Sequence, residues 1–179
     1  RRSSDLVKRD VTNDGKTIHY MGDLTQLFDK SLADLEKMFG AKPYVHENKD
    51  IWGLTTCTFL DLLIEVKIDK LGKVVGIGYI STNNRDTFGV KYHPFNNITS
   101  DLSQDYIRKN YKVVREGSSK IDLNGDYRMY LDHPGYMVEI IYGYMNHASS
   151  KVIKNVLVLK GNYQRPLDYY ESLERKKPW

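Results

Sequence analysis

The stretch "LLIEVKIDKLGKVVGIGYIS", residues 62–81, decides the fold. Leu62, Ile64, Val66 and Ile68 alternate with Glu65, Lys67 and Asp69. That is the period of a strand with one buried face. "KLG" at 70–72 reads as a turn and "KVVGIGYIS" at 73–81 as the next strand. So short a connection leaves no room for a crossover, so the two strands pair antiparallel. "GIGYIS" carries two of the three glycines of a dinucleotide fingerprint but lies inside a strand. Its glycines read as sites of close backbone approach.

Upstream, "IWGLTTCTFL" at 51–60 is rich in aromatic and β-branched residues and reads as a further strand of the meander. Before it, "DKSLADLEKMFG" at 29–40 predicts a helix. Asp29 or Ser31 can cap it, Leu32, Leu35 and Phe39 share a face, and Gly40 closes it, with Pro43 preventing continuation.

The same order then recurs. "FNNITSDLSQDYIRKNY" at 95–111 predicts a helix capped by Thr99 or Ser100, with Leu102, Tyr106 and Ile107 as its apolar stripe. "KVVRE" leads out of it as "KPYVHE" leads out of the first helix. "YMVEIIYGY" at 136–144 places Tyr136, Val138, Ile140 and Tyr142 on one face and Glu139 on the other. The offset between halves drifts from 67 residues at Phe28 and Phe95 to 78 at Lys73 and Lys151, as loop insertions in a second copy would produce.

The predicted fold class is therefore α+β: two tandem helix-plus-antiparallel-meander repeats, helices packed on one face of the sheet. The boundaries are a flexible tail over 1–16, a first repeat over 17–90, a second over 91–163, and a C-terminal helix or tail over 164–179. Pro166, Leu167, Tyr170 and Leu173 suit that last helix.

Composition narrows the function classes. Of 179 residues, Lys and Arg make 27 and Asp and Glu 23. The excess sits in the tails: between residues 10 and 170 there are 20 basic and 20 acidic residues. A neutral body argues against nucleic acid, which calls for a basic stripe on the folded part. No apolar run reaches the roughly 18 residues of a membrane span. Cys57 is the single cysteine, which excludes an internal disulfide and a thiolate cluster. The chain starts at Arg1 without a Met, the pattern of a processed product, compatible with a removed signal or lipoprotein peptide that carried a lipid anchor.

Catalytic and metal motifs fail on inspection. "DLNGDYRMYLDH" at 122–133 has the alternating oxygens of a calcium loop, but its sixth position is Tyr127 and its twelfth His133. A calcium loop needs Gly and a bidentate acid there. Asn124-Gly125 reads instead as a hairpin turn, and Pro134-Gly135 as a second. "HENKD" at 46–50 ends in Asp where a zinc helix needs His. The expectation is no metal, no cofactor and no enzyme.

Tyrosine is the unusual feature: 14 in all, ten of them from Tyr106 onward. Strand parity puts Arg128, Tyr130, Met137, Glu139 and Ile141 on the side opposite the core stripe. Aromatic residues beside Arg and Met are what protein-binding surfaces favour, and these five are the predicted partner-binding residues.

"SLADLEKMFGAKPYV…LLIEVKIDKLGKVVGIGYIS", and more weakly "SDLSQDYIRKNYKVV…YMVEIIYG…SKVIKNVLVL", resembles the β-lactamase-inhibitor-protein-like superfamily, with its small outer-membrane assembly lipoproteins and tandem secreted inhibitors. The helix-Gly-x-x-Pro step ending at Pro43 is its most specific piece. The resemblance covers most of 28–160 and implies helices on one sheet face and a second face free to bind protein. It implies a non-catalytic protein-binding protein of the cell envelope or secreted space, an inhibitor or immunity factor. The alternative is a small-ligand binder or enzyme with a pocket between sheet and helices.

Overall fold

A computed structural model describes residues 7–11, 17–21, 24–50, 52–80, 98, 102–118, 126–133, 135–144 and 151–161. Strands β1 (Val7–Val11) and β2 (Thr17–Met21) pair antiparallel as a small separate sheet. This corrects the tail read over 1–16. Val7 pairs with Met21 and Val11 with Thr17 across the ladder, and the β propensity of Val and Thr competes with the charge of the segment.

Helix α1 (Leu32–Phe39) follows a 3-10 turn over Leu24–Leu27. Ser31 caps it: its Oγ accepts from the Asp34 N–H, and the Asp34 carboxylate accepts in return from the Ser31 N–H. Gly40, at φ 63°, ends it in the left-handed region that glycine adopts without steric cost. Strands β3 (Tyr44–Val45), β4 (Thr55–Phe59), β5 (Ile64–Ile68) and β6 (Val74–Ile80) come next. Leu62 is not in the strand as its alternation suggested. Residues Leu60–Leu62 form a 3-10 turn, and Leu63 at φ 57° breaks the extension before Ile64.

Helix α2 (Gln104–Asn110) is capped by Ser103, which accepts from the Tyr106 N–H, rather than by Thr99 or Ser100. Strands β7 (Val113–Ser118), β8 (Tyr127–His133), β9 (Tyr136–Tyr144) and β10 (Lys151–Lys160) complete the described chain. The turn read at Asn124-Gly125, the boundary near residue 90 and the C-terminal helix lie outside the described residues.

The eight strands β3 to β10 form one antiparallel sheet in the order β3-β4-β5-β6-β10-β9-β8-β7. The last strand of each four-strand run meets the other at the centre, with Ile77 opposite Val158 and Gly78 opposite Leu157. The structure is thus α+β with a large antiparallel sheet and two helices.

One face carries the main core. Val66, Ile77, Val158, Val138 and Ile140 pack there with Leu35 of α1 and Ile107 of α2. Leu35 and Ile107 thus anchor the two helices to the same side, each contributing roughly 1.5–3 kcal/mol relative to exposure, whereas Tyr106, read as part of the second stripe, is exposed. Tyr142 is buried in this cluster, and its hydroxyl donates to the Leu102 carbonyl at 2.8 Å, fastening the segment before α2 to the sheet.

Two acids of this face give the stability an alkaline limit. Burial pushes the Cys57 thiol up and the Tyr142 hydroxyl well above its ordinary value. A raised folded value means that the folded chain holds the proton more tightly than the unfolded one. The contribution is complete below the unfolded values, about 8.5 for Cys and 10 for Tyr, and is lost as pH rises past them. The melting temperature is expected to fall as pH climbs above about 8.5. Tyr142→Phe should flatten the upper part of that fall, and an unchanged profile in this variant would contradict the assignment.

Candidate functional site: a charged cleft on the helix-free sheet face

The opposite face holds a second, smaller cluster of Leu54, Val75, Tyr130, Met137, Leu157 and Leu159, with Trp52 packed against it. Val75 reaches this side because β6 shifts register against β5 between Ile68–Val74 and Lys67–Gly76. Beside this cluster a cleft of about 300 Å³ opens, lined by Asp50, Trp52, Glu65, Lys67, Gly78, Arg128, Glu139, Ile141, Asn155 and others.

One wall is built by a short loop. The Asp50 Oδ1 accepts from the Trp52 and Leu54 N–H groups, each at 2.9 Å, and Gly53 at φ 75° turns the chain. The loop carries the Trp52 indole to 5.8 Å from the Lys67 Nζ. The same device recurs at 69–73, where Asp69 Oδ1 accepts from Leu71 and Lys73 and Gly72 turns at φ 75°.

Lys67 is 7% exposed, and its ammonium is engaged. It donates to Thr56 Oγ1 at 2.7 Å and lies 3.1 Å from Asp50 Oδ2 and 3.2 Å from Glu65 Oε1. Its stem lies over Gly76, where an added Cβ would fall 2.9 Å from the Lys67 Cβ and Cγ.

The floor is Gly78, opposite Glu65 on one side and Leu157 on the other. A Cβ there would stand 2.4 Å from the Val156 carbonyl oxygen, a backbone atom that cannot swing aside. The close approach read from "GIGYIS" is therefore physical. Gly78→Ala is expected to cost about 1–3 kcal/mol through backbone displacement. Chemical denaturation measures it, and a loss below about 0.5 kcal/mol would mean that the strands adjust freely.

The far wall is Glu139, opposite Leu157 on β10 and Tyr130 on β8. Its side chain is 6% exposed and meets Arg128 Nη1 at 3.5 Å. Among the described residues it accepts no hydrogen bond. Arg128, on the next strand, has further interactions of its own.

The five predicted partner-binding residues do share the side opposite the helices. The cleft gathers Arg128, Glu139 and Ile141. The expectation of an open aromatic surface is corrected for the others: Tyr130 is 5% exposed and Met137 7%, packed with Leu159 and Leu157 in the second cluster. Asp50, Trp52, Glu65 and Lys67 were not singled out, although D-x-x-G at 50–53 and 69–72 is a readable turn signal. The alternative pocket was expected between sheet and helices, whereas this cleft lies on the other face.

The cleft lining contains no Ser, Thr, Cys or His. The carboxylates of Asp50, Glu65 and Glu139, each facing a cation, can hold a ligand. Among the described residues no three His, Cys, Asp or Glu gather as a metal set, and no helix is long and apolar enough to cross a membrane.

No family model matches the chain, and no curated protein matches it. Solved structures similar to it include a DUF4309 family protein (YjgB) from Bacillus subtilis, at 13% identity and TM-score 0.45, covering 73% of this chain and 78% of that one. Another is an extracellular protein containing a SCP domain from Bacillus anthracis, at 16% identity and TM-score 0.48, covering 80% of this chain. The chain spans about half of that second protein, 48% of its length.

Proposed function

We propose that the protein is a non-catalytic binding protein that holds another protein against the helix-free face of its sheet. The observation that carries this reading is the cleft itself: a recess in a broad sheet face, walled by charged and aromatic side chains. The main core lies on the other side, and this face carries only the second, smaller buried cluster beside the cleft. The resemblance to β-lactamase-inhibitor-protein-like chains supports the same face and an inhibitor or immunity role. That resemblance alone supports placing the protein in the cell envelope or secreted space.

The proposal includes a tandem repeat. Its support is the sheet order, in which each helix precedes four strands and the two sets meet at β6 and β10. Superposing 32–80 on 104–160 in an experimental structure should match helix and strands in order and direction; a mismatch removes the repeat.

Photocrosslinking tests the face. A photoreactive residue at Ile141, in the cleft, should capture a defined partner, and one at Glu36, half-buried in α1 on the other side of the sheet, should not. The purified partner should then lose affinity for Arg128→Lys, which keeps a cation beside Glu139, at an unchanged melting temperature. Capture from Glu36 alone, or unchanged affinity, would overturn the reading. A small metabolite retained by the purified protein at the cleft would favour the alternative of a small-ligand binder.

A further inference from the structure

The cleft's charges balance, but its hydrogen-bonding capacity does not. Lys67 donates to Thr56 and pairs electrostatically with Asp50 and Glu65. Lys49 donates to Thr55 and is exposed to solvent. Asp50 Oδ1 accepts from two N–H groups, while its buried Oδ2, 3.1 Å from the Lys67 ammonium, accepts no hydrogen bond. What is left is chiefly acceptor capacity, against a buried donor, the Trp52 indole N–H. Glu65 uses only Oε1 on Lys67. Glu139, 94% buried by its 6% exposure, meets Arg128 at 3.5 Å, beyond the 2.7–2.9 Å or so of a charge-assisted hydrogen bond. A buried carboxylate without hydrogen bonds is costly, and a donor ligand would remove that cost.

We propose, resting on the protein-binding reading above, that the cleft receives an arginine side chain of the partner. A guanidinium offers five N–H donors in a planar fork that fits a carboxylate two at a time. Its spread charge is weakly hydrated and tolerates the neighbouring Arg128, which Glu139 offsets. The stem finds apolar contact at Ile141 and Leu157. The volume, about 300 Å³, is at the small end of ligand pockets (roughly 300–1,000 Å³) and suits one side chain rather than a larger cofactor. Gly78 keeps the approach between the Glu65 and Glu139 walls clear, since a side chain there would stand in it.

Calorimetry with three probes tests this: N-acetyl-arginine amide, the uncharged citrulline analogue, and N-acetyl-glutamate amide. The arginine probe should bind about tenfold or more tightly than the citrulline analogue, the loss expected of one charge-assisted contact. The glutamate probe should not bind. Glu139→Gln, checked for an unchanged melting temperature, should weaken the arginine probe about tenfold. If that variant does not fold, Glu65→Gln, on the less buried wall, should weaken it in the same sense. Equal binding of citrulline, preference for glutamate, indifference to both variants, or no binding of the arginine probe would each overturn the inference. Such a failure leaves the crosslinking result at Ile141 untouched, so the two readings fail separately.

Discussion

Lys67→Met is expected to lower the unfolding free energy by about 3 kcal/mol. The ammonium holds Asp50, Glu65 and Thr56 together at 2.7–3.2 Å in a site where it is 7% exposed. Removing it leaves two carboxylates side by side without their cation, a loss of about 3–5 kcal/mol when the remaining charge is fully buried. Asp50 and Glu65 keep 14% and 24% side-chain exposure and can recover some hydration, which places the estimate at the lower end. The Lys112–Asp132 pair provides the contrast. At 74% and 49% exposure its loss should cost well under about 1 kcal/mol. Denaturant melts of both variants check the pair of numbers. Equal costs would mean that Lys67 is not the organiser of the cleft. The loss of Lys67 should also loosen the 50–54 loop, visible as faster amide exchange at Trp52 and Leu54, whose N–H groups depend on Asp50.

The second large effect is at Tyr130. Its ring is 5% exposed and packed with Leu54, Met137, Leu157 and Leu159. Cutting a large buried aromatic to Ala costs about 3–5 kcal/mol, through lost transfer energy and the cavity left behind. Tyr130→Ala should therefore lower stability by about 3 kcal/mol, and any fall in partner affinity should track unfolded protein. A stable variant with weakened binding would restore Tyr130 to the contact surface and undo its place in the second cluster.

Much of this architecture was legible in residues 62–81. Alternation located Ile64–Ile68 and Val74–Ile80, and parity correctly separated Val138, Ile140 and Tyr142 from Tyr130 and Met137. The first helix announced itself through Ser31 and Gly40, because both caps are local chemistry. The second was displaced at its start: Thr99, Ser100 and Ser103 all qualify as caps, and only the settled chain selects Ser103. Exposure was the harder quantity. Parity tells which side a residue faces but not what lies over it. Trp52 packs on the second cluster through a loop more than 70 residues away from Tyr130. Lys67 looked like one more solvated charge on a strand's polar face. Its burial depends on Asp50 and Thr56, which no period reveals. Gly76 and Gly78 were read as close-packing sites, yet the hollow they leave becomes a binding feature only when Glu139 is brought across from the other half.

Amide chemical-shift mapping during titration with N-acetyl-arginine amide tests most directly whether the helix-free face is where this protein binds. The account predicts shifts gathered at Glu65, Gly78, Glu139, Ile141 and Asn155, with α1 and α2 silent. Shifts centred on α1 or α2, or spread without a focus, would contradict it.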